Sequence, residues 1–335
     1  MAALVTGAGG EIGHALIEHL SEAGSEVVAI DLRPLDPQIA RRCARSLVGD
    51  ITDAGAISAL AESAEFDAVY HLAALLSTAS ERDPARAQAV NVGGTIHLLE
   101  LAVSSSRRLG RAVRFFFPSS IAVFGMPDVA TKAAAGRVTE GQFLDPITVY
   151  GVNKLSCEQL GRYWSRNYRL LDAERAPGVD FRGLRFPGLV SAFTVPSGGT
   201  SDYGPEMVHS AARGEPYACF VRPDTAIPFM AMPDAISAIT ALMAAERGKL
   251  RREVYNIGAF APSAQDFADL VKADFPSSRI SFDIHPLRQR IVDSWPIDVN
   301  DDEARADWGF QPTFTLESMW HEYLMPMVRQ RYLLA

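Results

Sequence analysis

From residue 2 to about 185, short apolar runs alternate with longer segments of helical period, the pattern of strand–helix–strand units laid into a parallel sheet. The runs at 2–6, 27–31, 46–48, 68–71, 114–117 and 181–186 predict strands, and helical spacing marks 11–23, 53–63, 85–109 and 149–173. The stretch 126–146 is polar and aperiodic and reads as a surface loop. Beyond Pro187 the pattern breaks up. Glycine-rich turns lead to a helix at 233–247 opened by Pro233 and Asp234, a strand at 254–257, a helix at 264–273 capped by Ser263, a strand at 280–284 and a last helix near 315–329. The reading is an α/β chain. A doubly wound parallel sheet occupies 1–186, and a smaller C-terminal lobe over 187–335 covers its carboxyl edge, with some segments returning to the first domain. Ligands of open α/β sheets bind at that edge.

Composition narrows the partners. The 335 residues are 48% hydrophobic and carry 40 acidic against 32 basic groups, a net charge of −8. That balance disfavours nucleic acid and anionic membrane and leaves a small molecule as the expected partner. Cys43, Cys157 and Cys219 form no CxxC pair, so neither a disulfide framework nor structural zinc is expected. His, Asp and Glu show no metal-site spacing, so no metal is expected. With no apolar run of about 18 residues and no leader before the first strand, the expectation is a cytoplasmic protein.

The first candidate chemistry follows the first strand. Gly7, Gly10 and Gly13 give a tight turn, a close backbone approach and close helix–strand packing, and the helix they open offers its N-terminus to a pyrophosphate. Asp31 ends the second strand 18 residues after Gly13, placed to accept from the adenosine ribose hydroxyls and to repel a 2′-phosphate. This selects NAD over NADP, although Arg33 two residues on is the kind of group that accommodates the extra phosphate. Asp50 after the third strand either accepts from the adenine amino group or caps a turn.

The second candidate is Tyr150-Gly151-Val152-Asn153-Lys154, which puts a phenol and an ammonium one helical turn apart. A phenol beside a cation ionises more easily and serves as a general base. Ser120, in Pro118-Ser119-Ser120 at the end of the fifth strand, can donate to the oxygen on which charge develops. Thr6-Gly7-x-x-Gly10-x-x-Gly13, His71-Leu72-Ala73-Ala74, Ser119-Ser120 and Tyr150-x-x-x-Lys154 together resemble the extended short-chain dehydrogenase/reductase family. That resemblance implies a Rossmann sheet, bound NAD and catalysis by Ser120, Tyr150 and Lys154. It further implies cofactor contacts at Glu11, Ile12, Leu32, Ile51, Leu72, Ala73, Ala74, Asn91 and Pro187. His71 reads as a packed, satisfied histidine.

Several segments extend the likeness over nearly the whole chain. Leu184-Arg185-Phe186-Pro187-Gly188, Ser197-Gly198-Gly199-Thr200-Ser201-Asp202-Tyr203 and Arg288-Gln289-Arg290-Ile291-Val292-Asp293-Ser294-Trp295-Pro296 resemble the short-chain type of L-threonine 3-dehydrogenase. The resemblance implies oxidation of the L-threonine 3-hydroxyl to 2-amino-3-oxobutanoate, with Ser77, Ser120, Tyr150, Arg185, Gly199, Thr200, Ser201 and Trp295 on the substrate side. It also implies a homodimer through helices 85–109 and 149–173, and functional coupling to a 2-amino-3-oxobutanoate CoA ligase. Residues 197–202 read either as a nest of N–H groups for a carboxylate or as a plain glycine turn. Trp295 reads as a cover for the site or as a packed aromatic, and Glu158 with Arg185 as an active-centre pair or a structural one. A nucleotide-sugar 4-epimerase or dehydratase, a sugar-acid dehydrogenase and a non-catalytic NAD-responsive protein share the same first half and remain alternatives.

Overall fold

A computed structural model describes residues 1–172, 177–196 and 199–332. The end of the expected helix at 173, and Ser197 and Gly198 of the glycine segment, lie outside these. The first strands are β1 (Ala2–Thr6), β2 (Glu26–Asp31), β3 (Arg45–Val48) and β4 (Ala68–His71), followed by β5 (Val113–Ser120), β6 (Val179–Phe186) and β7 (Val254–Asn256). They form one seven-stranded sheet in the order β7-β6-β5-β4-β1-β2-β3. Pairings of β1 with β2 and β4, of β2 with β3, and of β4 with β5 are all parallel. The order reverses at β1, so the chain is a Rossmann-like α/β fold whose switch point lies where β1 hands over to its first helix. The helices α1 (Glu11–Glu22), α2 (Ala54–Ser63), α3 (Gly94–Leu109) and α4 (Val149–Arg166) intervene between strands.

Two compact units divide the chain, one of residues 1–119, 152–184 and 239–255, the other of 120–151, 185–238 and 256–335. In the first, Leu4, Val28, Val69, Phe115, Phe117 and Phe181 form a fully apolar core, Phe181 stacking on both Phe115 and Phe117 at 5.8 Å. Continuous runs such as Phe115-Phe116-Phe117 suit strands buried on both faces. The strand expected at 254–257 joins this sheet as its edge, although it follows the irregular half of the sequence.

The second unit takes in 120–151, which the sequence pattern assigned to the first domain. The polar stretch within it is not an unstructured loop. Asp128 caps a short helix, Val129–Ala134, and Arg137–Val138 pairs in parallel with Asp298–Val299. Two of its cations reach partners distant in sequence. Lys132 is buried and donates to the Val292 carbonyl at 3.0 Å, and Arg137 to the carboxylates of Asp301 and Asp302. Tyr203, Phe229 and Phe267, ring to ring, make this unit's aromatic centre.

Candidate active site

In the first unit the glycine loop has the shape a dinucleotide requires. Gly7 has φ +67°, and a Cβ on it would lie 2.5 Å from the Ala73 nitrogen; at Gly13 a Cβ would lie 2.6 Å from the Ala8 carbonyl oxygen. Only glycine satisfies either contact. Gly10 opens α1 without any side-chain cap, the condition under which a helix N-terminus receives an anion, and Glu11, Ile12 and Gly13 form its first turn. The Asp31 carboxylate accepts from the Gly9 N–H at 2.9 Å and from the Arg33 N–H at 3.3 Å, so it stands beside the loop, with Leu32 and Arg33 exposed. These residues fit a dinucleotide.

Other predicted cofactor residues are placed by internal bonds. Asp50 accepts from the Thr52 N–H at 2.8 Å, which is the turn-capping role, and buried Ile51 receives His97 on its carbonyl. Asn91 is buried and clamps the Leu75 backbone from both sides, accepting its N–H at 2.8 Å and donating to its carbonyl at 3.1 Å. It thereby fixes the chain just beyond Leu72, Ala73 and Ala74. Asn153, not anticipated as a site residue, joins Asn91 to Gln88 through its amide. Ser77 starts a short helix, Ser77–Arg82. His71 is bonded through both ring nitrogens, to Thr6 and Thr95, each at 2.9 Å. Burial and then the Lys154 charge push it down to about 3, so it is neutral packing.

Lys154 is almost fully buried on α4. Its ammonium donates to the Pro118 carbonyl at 2.6 Å and sits 4.7 Å from the centre of the Phe117 ring. Burial lowers its pKa to about 8, against the opposing pull of Cys157 and Glu158. Glu158 is itself buried and receives Ser119 at 2.6 Å and Arg162 at 3.5 Å. The Ser119–Glu158 bond ties α4 to the end of β5.

In the second unit, Ser120 ends β5 and accepts the Ala122 N–H at 3.1 Å, while Tyr150 is hydrogen-bonded to Ser120. Burial raises the Tyr150 phenol well above its ordinary range, and the Ser120 bond pulls it back. The phenol is therefore protonated until a charge assists its ionisation. Arg185 is fully buried, donates to the Glu140 carbonyl at 2.9 Å and lies 5.1 Å from the Phe124 ring centre. Pro187, Thr200 and Trp295 are buried, and Ser201 half-buried. The Gly199 N–H, expected to face a substrate carboxylate, is taken by the chain's own Asp202 at 2.7 Å. A separate cavity of about 330 Å³ in this unit is bordered by Asp128, Asp145, Arg290 and Ser294, and neither Ser120 nor Tyr150 lines it.

Among the described residues, no group of His, Cys, Asp and Glu side chains could hold a metal ion, and no helix is long and apolar enough to cross a membrane. Residues 3–258 match the family described as NAD dependent epimerase/dehydratase. An uncharacterized epimerase/dehydratase of Staphylococcus saprophyticus is 35% identical over 319 residues, 94% of this chain and 93% of the relative. A monomeric L-threonine 3-dehydrogenase from a metagenome, solved in its apo form, is 34% identical with a TM-score of 0.85, over 98% of this chain and 99% of that one. A GalE-like L-threonine dehydrogenase from Cupriavidus necator, in its holo form, is 34% identical with a TM-score of 0.84, over 98% and 100%. The cofactor is NAD, and the protein is an oxidoreductase-type enzyme. With the glycine loop, the strand-end serine and the Tyr-x-x-x-Lys helix in place and the match running through most of its length, the chain belongs to the NAD dependent epimerase/dehydratase family, the extended short-chain dehydrogenases/reductases.

Proposed function

We propose that this enzyme oxidises the 3-hydroxyl of L-threonine, converting L-threonine and NAD to 2-amino-3-oxobutanoate, NADH and a proton. The observation that carries the proposal is the likeness, at about one-third identity and nearly full length, to solved L-threonine dehydrogenases. Bound NAD would supply the acceptor for the hydride that leaves C3. Tyr150 removes the hydroxyl proton, Ser120 holds that oxygen and stabilises its developing charge, and Lys154 favours the ionised phenol and holds the nicotinamide ribose. Gly7, Gly10, Glu11, Ile12 and Gly13 receive the pyrophosphate; Asp31, Leu32 and Arg33 border the adenosine ribose, and Asp50 and Ile51 the adenine. Leu72, Ala73, Ala74, Asn91 and Pro187 complete the cofactor contacts. Ser77, Arg185, Thr200, Ser201 and Trp295 serve the amino acid, with Gly199 shaping the turn that carries Thr200 and Ser201. Because the Gly199 N–H is bound to Asp202, the substrate carboxylate falls to Thr200 and Ser201.

The test is NADH absorbance on mixing the protein with NAD and L-threonine, with D-threonine, L-serine, NADP and UDP-glucose in parallel. NADH formed from L-threonine alone is the expected result. A flat trace with L-threonine, together with conversion of a nucleotide sugar without net NADH, would instead establish the epimerase reading, which the description of the Staphylococcus relative favours.

A further inference from the structure

The proposed substrate segment is held at both backbone groups of a single residue, Gly199, by charged side chains of the same structural unit. Gly199 gives its N–H to the Asp202 carboxylate at 2.7 Å, and its carbonyl receives the Arg288 guanidinium at 2.8 Å and the Asp202 N–H at 3.2 Å. A Cβ on Gly199 would lie 2.8 Å from that carboxylate, so a side chain there would have to push Asp202 aside. The bonds to Arg288 and Asp202 are charge-assisted, the stronger class of hydrogen bond.

Arg288 is itself fixed. Its guanidinium carbon lies 3.2 Å from the Phe220 ring centre. Its charge also acts on Glu206, whose carboxylate accepts the Tyr217 hydroxyl at 2.5 Å. A planar cation stacked on an aromatic ring loses little further freedom when it donates a hydrogen bond, which lysine cannot reproduce. Arg288 also belongs to the helix Pro286–Asp293, whose next turn leads through Ser294 to Trp295. One side chain therefore joins residue 199 to the segment ending in Trp295, although the two are far apart in sequence.

We infer that Arg288, with Asp202, is a positioning residue for substrate recognition: it fixes the Gly199 peptide so that Thr200 and Ser201 present their N–H groups and hydroxyls to the carboxylate of an amino-acid substrate. The inference rests on the L-threonine reading for the identity of that carboxylate, and on geometry alone for the clamp. The clamp is built on the proposed substrate segment, so its effect belongs to substrate binding.

The experiment compares wild type with Arg288→Gln, Arg288→Lys and, as a control on the same helix, the exposed Arg290→Gln. Steady-state kinetics with L-threonine, NAD titration, and amide hydrogen exchange over 199–203 are read for each. Arg288→Gln is expected to raise KM for L-threonine about tenfold or more, the loss of a hydrogen bond to a charged group, with kcat within about threefold and NAD affinity unchanged. Exchange over 199–203 should quicken by a similar factor; Arg288→Lys should fall between, and Arg290→Gln should match wild type. Unchanged KM and unchanged exchange in Arg288→Gln would overturn the inference, as would a fall in kcat and thermal stability with KM untouched, the mark of a merely structural arginine. If wild type makes no NADH from L-threonine the dehydrogenase reading fails. The exchange comparison then still decides the clamp, unchanged exchange refuting it.

Discussion

Gly151, between Tyr150 and Val152 at the start of α4, sets the position of the phenol proposed as the general base, and replacing it with alanine should cost turnover far more than stability. A Cβ there would stand 2.1 Å from the Ala122 carbonyl oxygen and 2.8 Å from the Pro146 Cβ. Carbon and a carbonyl oxygen approach no closer than about 3.3 Å even in favourable C–H···O contacts, so the helix start and the 120–123 turn must separate by roughly 1 Å. Both neighbours are stiff, one being backbone and the other a proline ring. Overpacking of this kind costs about 1–3 kcal/mol, and the better helix propensity of alanine returns about 1 kcal/mol, so the net loss of stability is small. The loss of geometry is larger. The Ala122 N–H is what Ser120 accepts, and Ser120 is what Tyr150 is bonded to, so moving either side opens the bond that orients the acid/base pair. A displacement of about 1 Å at such a pair can cost about a hundredfold in rate. Initial rates of NADH formation, NAD titration and urea unfolding on Gly151→Ala separate the terms. Turnover down about a hundredfold with NAD affinity intact is expected; turnover within threefold of wild type would refute the reasoning.

Tyr150→Phe removes the acid/base oxygen from a helix that is otherwise unchanged, so NAD binding should persist while turnover drops at least about a hundredfold; near-normal rates would sink the proposed mechanism. Lys154 and Lys132 each have pKa values lowered to about 8 from 10.5 by burial, so the folded chain gives up these protons before the unfolded chain does. Unfolding then takes up about one proton per lysine between pH 8 and 10.5, and stability from these groups rises with pH there by up to about 1.4 kcal/mol per pH unit each. Buried thiols raised above 9 act in the opposite sense, so the readout is the difference between wild type and Lys154→Met in urea midpoints across that range. Equal slopes would contradict the assignment. Arg182 is buried, pairs with Asp180 at 2.5 Å and donates to the carbonyls of Leu242, Met243 and Ala245 at the end of the helix Met232–Ala244. Arg182→Met should cost about 1–3 kcal/mol by stranding those carbonyls and leaving Asp180 to its other cation, Arg247 at 3.4 Å, measured by denaturant unfolding; a loss under about 0.5 kcal/mol would show that water replaces the arginine.

The parts legible in the sequence are those whose signal is local. β1 and β4 carry the expected bounds because each is a short apolar run, β1 closed by the Gly7 turn and β4 opened after Asp67. The cofactor loop and the Tyr150–Lys154 spacing are likewise contained within a few residues. β5 runs three residues past its apolar core, through Pro118, Ser119 and Ser120, because pairing continues where hydrophobicity stops. The expected helix at 85–109 comes as Pro84–Gln88, a π-helical turn at Ala89–Gly93 and α3, and Gly94 leaves room for Ile51, whose side chain a Cβ would meet at 2.4 Å. The helix Tyr203–Ala212 is hidden by Gly204 and Pro205, which look like a turn but fall in a first turn, where a missing N–H costs nothing. Three-residue strands such as Phe229–Ala231 and Gly188–Val190 exist through each other and have no pattern of their own. The Ser119–Glu158 bond, the Asn91 clamp and the Arg288–Gly199 bond join residues brought close only by the fold.

The same distinction bears on the substrate. The family match ends at residue 258 and includes the glycine loop, the strand-end serine and the Tyr–Lys helix, whose proposed roles would serve any alcohol oxidised through NAD. Residues 259–335 contain Arg288 and Trp295, the part of the second unit through which Gly199 is held. An epimerase must accommodate a nucleotide and rotate a sugar, and a charge-clamped turn at the proposed substrate segment suits a small, doubly charged amino acid better than a group that must turn over. The likeness to L-threonine dehydrogenases continues through this region, covering 98% of the chain, and the family match does not reach it. Substrate identity should therefore follow variants of residues 199–202 and 288, while cofactor use follows Gly7 to Asp31. If substitutions at Arg288 changed NAD affinity and left the choice of alcohol untouched, that separation of roles, and the argument for threonine built on it, would fall together.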